Sequence, residues 1–272
     1  EGKGFQLTLI TDDGKREEIC QHLVVASGGK AYPQLGSRGN LFQSLQALGH
    51  TLLPVHPALG PILVKLGAWQ ALRGLRFDAL ASIWMDHEKI SESLGNLIFT
   101  EKGFNGPAVM NLSHLVPIHP AGSLRLRLDL TAPFQPGFAQ AWAACPDSKP
   151  ALRAFLLGYF PPKAVDFFLT TALGNKNLSL KQPLLQTLQH AEFTINGAGD
   201  FNNSQVSTGG VPVIEVSPTD MRSSLVPNLY LVGETLDVIG PCGGYNLHFA
   251  FGSGWLAGRA LAAERTSSKE SE

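Results

Sequence analysis

The sequence predicts an α/β chain. Its two ends build one sheet-and-helix unit, and its middle forms a separate β-rich, barrel-like unit with a helical patch. Three observations carry this reading. Residues 23–49 and 226–264 each run from a short apolar strand through a glycine-rich turn into a helix, the local order of a parallel sheet that binds ligands at its carboxyl edge. Between them, Leu124, Leu126, Leu128 and Leu130 alternate with Arg125, Arg127 and Asp129, the period-two pattern of a strand with one buried face. Glycine is in excess, 29 of 272 residues, or about one and a half times its usual share.

In chain order, residues 4–11 alternate as a strand, Asp12-Asp13-Gly14-Lys15 is a hairpin turn, and a polar return strand leads to Leu23-Val24-Val25-Ala26. That run reads as a strand buried on both faces. A helix follows with Leu41, Leu45 and Leu48 as its apolar stripe and Gly49 as its stop. Pro54, Pro57 and Pro61 mark a domain crossover. Residues 61–66, 81–85 and 123–131 read as strands, residues 151–160, 162–173 and 180–190 as helices, and residues 189–196 as a strand. Residues 226–233 form a second buried strand. The last helix spans about 245–264, with Gly252, Ser253, Gly254, Ala257 and Gly258 letting it lie close to a sheet.

Composition narrows the function. A net charge of −1 argues against a nucleic-acid or anionic-membrane surface. No apolar run reaches the ~18 residues of a membrane span. Cys20, Cys145 and Cys242 are far apart, so neither a disulfide framework nor a zinc ribbon is supported, and a reducing cytoplasm is the expected compartment. His114 and His119 lack the spacing and the partners of a metal site. Cys242, before the last helix, sits where a helix N-terminus lowers a thiol pKa, although no resolving cysteine is near it. His248 lies just inside that helix. No serine-hydrolase motif is visible.

The two glycine turns carry the chemistry. The first joins Ala26-Ser27-Gly28-Gly29 to Gly36-Ser37-Arg38-Gly39-Asn40; the second joins Gly233-Glu234 to Gly240-Pro241-Cys242-Gly243-Gly244-Tyr245-Asn246-Leu247. Such glycines let backbone N–H groups approach a ligand, and a helix N-terminus offers partial positive charge to a phosphate or to the anionic edge of a reduced flavin. Glu234 is placed to accept hydrogen bonds from sugar or ribitol hydroxyls. The backbone N–H groups at Tyr245 and Asn246 are candidates for stabilising charge on a flavin, and the Tyr245 hydroxyl is a candidate proton donor; packing is the competing role for both.

These segments resemble a family of bacterial NAD(P)/FAD-dependent oxidoreductases that includes bile-acid dehydro-steroid reductases and aminoacetone oxidase. The matching stretches are residues 26–33, Phe99-Thr100 with residues 103–108, residues 206–211, and residues 229–247 with Gly233-Glu234, Leu236-Asp237 and Gly243-Gly244-Tyr245-Asn246. The resemblance implies the C-terminal part of a two-dinucleotide-fold FAD domain interrupted by the barrel-like unit. It divides the chain into residues 1–58 and 201–264 of the FAD domain, an inserted substrate domain at 59–200 with its helical part at 135–190, and a disordered tail at 265–272. It implies FAD bound by Ala26, Ser27, Gly28, Gly29, Gly36, Ser37, Gly39, Gly233, Glu234, Gly240, Gly243, Gly244, Tyr245, Asn246 and Leu247, with Tyr245 and Asn246 also as catalytic candidates. NAD(P)H would reduce FAD, which would pass hydride to a small or steroid-like unsaturated carbonyl compound; oxidation with O2 also fits the family. The family begins with a GxGxxG unit that this sequence lacks, so the chain is expected to be a fragment missing about a hundred residues, inactive and without tight FAD binding on its own.

Two departures stand out. The family's Gly-Ser-Thr-Gly-Asp-Gly turn is here Gly36-Ser37-Arg38-Gly39-Asn40-Leu41, and its Phe-Thr-His is Phe99-Thr100-Glu101. They leave open an alternative, a catalytically silent FAD- or nucleotide-binding module. A tRNA-modifying flavoprotein shares the architecture, but the near-neutral charge and the lack of a basic stripe count against it.

Overall fold

A computed structural model describes residues 4–173 and 179–269 of the chain. The first strands, β1 (Phe5–Thr11) and β2 (Gly14–Cys20), pair as an antiparallel hairpin about the predicted turn. β3 (Leu23–Val25), α1 (Phe42–Ala47) and β4 (Leu53–Ala58) follow. The middle contains β5 (Ile62–Val64), β6 (Arg76–Met85), β7 (Glu88–Phe99), β8 (Gly103–Asn105), α2 (Pro107–Met110) and β9 (Leu124–Asp129). Four helices come next, α3 (Gly137–Ala144), α4 (Lys149–Leu156), α5 (Pro162–Leu173) and α6 (Lys181–Gln189), and then β10 (Ala191–Ala198). The chain closes with β11 (Val206–Gly210), β12 (Leu229–Leu231) and α7 (Tyr245–Lys269).

These elements form two units. One takes the residues up to Ala58 and from Ser204 onward, the other Leu59–Asn203. The second unit is a closed antiparallel barrel in the order β10-β5-β8-β7-β6-β9. Leu124, Leu126 and Leu128 point into it while Arg125 and Arg127 point out. Outside, Arg127 pairs with Glu192 of β10 at 2.6 Å and lies over the Trp84 ring of β6, so the polar face also ties three neighbouring strands. Inside, Phe104 meets Phe99 and Phe193 edge-on at 5.1 and 5.0 Å. Phe77 of β6 meets Phe160 and Phe168 from the helical patch at 5.5 and 6.5 Å, so patch and barrel share one core. Barrel closure leaves no unpaired sheet edge.

The first unit holds three two-stranded sheets: β1-β2, antiparallel β4-β11, and parallel β3-β12. β12 is wholly buried, whereas Val24 of β3 is 38% exposed. The expectation of a two-faced burial for β3 is therefore corrected: among the described residues the strand pairs with β12 alone, and Val25 is its buried side chain. The stripe of α1 is corrected as well. Phe42 and Leu45, three apart, face the core, while Leu41 and Leu48 are exposed. α7 approaches the sheet through Ser253 and Ala257, with Phe249, Leu256, Ala260 and Leu261 beside them; a Cβ on Gly252, Gly254 or Gly258 would meet nothing within 4 Å, so these glycines are not needed for the close approach. It continues to Lys269, so the expected tail from 265 is helical that far, and residues 270–272 lie outside the described residues. No described helix is long and apolar enough to cross a membrane.

A buried polar strut links α1 to the loop after β11. The His50 side chain is fully buried, with Nδ1 2.7 Å from Glu215 Oε2 and Nε2 3.0 Å from Ser223 Oγ. Burial opposes the charge on Glu215, but hydrogen bonds from Thr51 and His50 outweigh it and hold the carboxyl below its ordinary range. The row Ser-His-Glu has the geometry of a nucleophilic triad. Ser223 Oγ, however, is buried and already accepts the Leu225 and Val226 N–H groups, so it is a strut and not a nucleophile.

Truncating Leu126 to alanine leaves a void that a closed barrel cannot collapse onto, and is expected to cost about 2–5 kcal/mol. Urea unfolding followed by the fluorescence of Trp69, Trp84 and Trp142, all in the barrel unit, measures it.

Candidate functional site

The parallel register pairs Val25 with Leu231 and carries both strands to one edge, where Val232 N–H donates to the Val25 carbonyl. Beyond that bond the chains part into Ala26-Ser27-Gly28-Gly29 on one side and Gly233-Glu234 on the other. The site is built around Glu234, whose Oε1 accepts the Ser207 N–H at 2.8 Å and the Ser207 hydroxyl at 2.6 Å. Ser207 Oγ in turn accepts the Lys30 N–H at 3.0 Å. Three segments far apart in sequence, the ends of β3, β11 and β12, are thus joined through one carboxylate and one hydroxyl.

Gly29 is dictated by this clamp. A Cβ on it would lie 2.1 Å from Ser207 Oγ and 2.3 Å from Glu234 Oε1, so no side chain fits. Ser37, from the following turn, donates to the Gly29 carbonyl at 2.9 Å. A second carboxylate repeats the arrangement: Asp237 Oδ1 accepts the Gly209 N–H at 2.7 Å and the Thr208 hydroxyl at 3.1 Å. Gly209 has φ +87°, and a Cβ there would sit 2.1 Å from the Pro54 carbonyl oxygen.

The second turn is held by Asn246. Its amide spans Gly240, with Oδ1 accepting the Gly240 N–H at 2.8 Å and Nδ2 donating to the Gly240 carbonyl at 2.9 Å. The Asn246 side chain is therefore committed to shaping the loop. Ser253 Oγ accepts the Gly233 N–H at 3.0 Å and donates to the Phe249 carbonyl, which docks α7 against the end of β12. The N–H groups of Tyr245, Asn246 and Leu247 open the 25-residue helix α7 and have no carbonyl four residues back within it. Tyr245 and Leu247 are exposed, and Gly243 and Gly244 precede them with φ of +124° and +92°.

Among the residues expected at a cofactor, Gly29, Ser37 and Glu234 are brought together by direct contacts, with Gly233 next to Glu234, and Gly240, Gly243, Gly244, Tyr245 and Asn246 form one loop-and-helix start. Ala26 and Ser27 are exposed at the strand end. Gly36 and Gly39 lie in the following turn with positive φ. The clamp partners Ser207 and Asp237 belong to segments that the resemblance quoted, but their role needs the fold to be seen. His248 is exposed. Cys242 is corrected: burial pushes its thiol up, opposite to a helix-activated cysteine. Burial likewise lowers His114, and no metal-binding group occurs among the described residues.

Electrostatically, burial pushes the Glu234 carboxyl above its ordinary range, while the hydrogen bonds from Ser207 resist that shift. The start of α7 offers backbone N–H groups to an anionic ligand, and Gly243 and Gly244 place no side chain in front of them.

A model of the HI0933-like protein Rossmann domain matches residues 2–260. The chain is 33% identical to the 3-dehydro-bile acid delta(4,6)-reductase of Clostridium scindens, covering 97% of this chain and 66% of that protein. It is 28% identical to the ribosomal RNA dihydrouridine synthase of Escherichia coli, covering 91% of this chain and 62% of that one, and 27% identical to its namesake in Haemophilus influenzae, covering 90% and 61%. The chain thus spans less than two thirds of the length of these relatives.

Because the folded-state pKa of Glu234 is raised, the folded state binds more protons than the unfolded one between the ordinary glutamate range and that raised value. Stability therefore falls as pH rises through this window. Glu234→Gln keeps an acceptor for Ser207 and removes the titration. The difference in urea unfolding between wild type and variant, taken from pH 4 to 8, is expected to change in the variant's favour as pH rises.

Proposed function

The chain belongs to the HI0933-like FAD-dependent Rossmann family, and on that footing we propose that its full-length form is a flavin-dependent reductase. NAD(P)H is the reductant, and the acceptor is a small or steroid-like unsaturated carbonyl compound. The observation that carries the reading is the clamp of Glu234 and Ser207 beside Gly29, which fixes two glycine strand ends on one sheet edge. A reductase among the relatives agrees with it.

FAD, when bound, supplies hydride transfer. The chain's own residues supply position and field. Gly28 offers backbone without a side chain in front of it, Ser37 holds the Gly29 peptide in one orientation, and Ser253 holds the Gly233 N–H. Gly36 and Gly39 shape the turn that follows. The start of α7 presents the N–H groups of Tyr245, Asn246 and Leu247 to developing negative charge, a preorganised stabilisation requiring no movement. Asn246 acts as a positioning residue through Gly240. Tyr245 carries an exposed hydroxyl, available for proton donation.

A second reading is reduction of a uracil ring in RNA, favoured by the two relatives named for that activity. The net charge of −1 over this chain favours the small-molecule acceptor instead.

Anaerobic stopped-flow reduction of the purified full-length protein is expected to bleach its flavin bands with NADH or NADPH; a colourless protein that takes up no FAD would sink the proposal. Asn246→Ala removes two hydrogen bonds at ~1 kcal/mol each, so FAD affinity is expected to drop on the order of tenfold or more. In the same assay Tyr245→Phe separates the roles of that residue: a proton donor loses turnover with flavin reduction unchanged, and a packing residue changes neither.

A further inference from the structure

A cleft of roughly 560 Å³ opens beside the turn that carries Gly39, and its charge has one sign. Lys30 reaches it from just beyond β3 and Arg38 from the turn itself; the amides of Asn40, Gln43 and Gln46 complete its polar wall, and Phe42 adds an apolar surface. No Asp or Glu lines it. Among the described residues no carboxylate lies within ion-pair range of Lys30 or Arg38. Arg16, Arg73, Lys89, Arg127, Arg153 and Arg222 have acidic partners; what sets Lys30 and Arg38 apart from the other cations without one is that both line the same cleft.

The main chain of Lys30 and the guanidinium of Arg38 are both anchored. The Lys30 N–H is bonded to Ser207 Oγ at 3.0 Å, which ties that residue to the Glu234 clamp. Its stem runs beside Gly39, where a Cβ would lie 3.0 Å from Lys30 Cε. Arg38 donates Nε to the Pro33 carbonyl at 3.1 Å, which orients the guanidinium and leaves both terminal nitrogens for another acceptor. Asn40 stands where the resembling turn carries an acid, and an acid there would cancel one of the two charges. Two unneutralised cations with amide donors around them match a compact dianion with several acceptor oxygens, and Arg in particular matches phosphate geometry. The cleft volume falls within the range of small-ligand sites.

We propose that this cleft binds a phosphomonoester, the 2′-phosphate by which NADPH differs from NADH, and so sets the choice of reductant. The naming of that donor rests on the reading of the protein as a flavoprotein reduced by a nicotinamide; the charge of the cleft does not. A phosphate of FAD itself is the other source of the same chemistry.

Calorimetric titration of the protein with 2′,5′-ADP and with 5′-AMP distinguishes these cases without any turnover. The 2′-phosphorylated nucleotide is expected to bind on the order of tenfold tighter, the worth of one charge-assisted contact, with an advantage that shrinks as salt is raised. Arg38→Gln and Lys30→Gln, each checked for an unchanged melting temperature, are expected to remove the advantage, while Lys89→Gln on the barrel keeps it. Equal binding of the two nucleotides by wild type, or a preference surviving both substitutions, overturns the proposal. Displacement of 2′,5′-ADP by FAD overturns it in favour of a flavin phosphate. A protein that takes up no FAD yet prefers 2′,5′-ADP retains the phosphate site and refutes the flavin reading alone.

Discussion

The end-to-end unit depends on one partly buried carboxylate. Glu234 gathers Ser207 by two hydrogen bonds, Ser207 gathers Lys30, and the space left between them admits only a glycine at position 29. A carboxylate in such surroundings costs solvation, and its raised pKa is the sign of that cost. The hydrogen bonds from Ser207 offset part of it. What the arrangement gains is registration: the ends of β3, β11 and β12 come from residues about 205 apart in sequence at the extremes, and no local propensity can bring them together. The second carboxylate, Asp237, extends the same device by fixing the Thr208-Gly209 backbone.

Much of this was legible in the sequence because it rests on local patterns. The alternation of Leu124 to Asp129 is a strand in any context, and β9 buries its leucines as the pattern requires. Pro162 starts α5 because proline suits the first turn of a helix. The two strand–glycine–helix stretches lie on one sheet edge because parallel pairing leaves no other choice once β3 and β12 are neighbours. Where reading failed, tertiary context decided. β7 has no strand pattern of its own within the β-rich stretch, because Glu88–Phe99 mixes Ser, Glu, Gly and Asn into a strand whose pairing with β6 and β8 outweighs its weak propensity. In α1 the choice between Leu41 and Phe42 for the buried stripe turns on where a six-residue helix begins, which the sequence leaves open by one position.

The site was legible to a different degree. Its glycines could be named from their turns, and Glu234 from its place after a buried strand. Its partner Ser207 could not, because a serine in Val-Ser-Thr-Gly-Gly gives no sign of which carboxylate it will meet. Asn246 shows the same gap: beside a helix start it reads as a ligand contact, yet its amide is spent on Gly240. Cys242 was misjudged because its burial, which the sequence does not reveal, pushes the thiol up. The barrel unit has its own aromatic core and a single closed sheet.

The central claim is that the edge organised by Glu234 is where the cofactor sits. Hydrogen exchange of the full-length protein, with and without bound FAD, tests it most directly, because it reports each backbone N–H separately. The account predicts that FAD slows exchange at Gly28 and Gly29, at Gly233 and Glu234, and at Tyr245 to Leu247, with the barrel strands unchanged. Protection confined to other segments, with those amides exchanging as before, would contradict it.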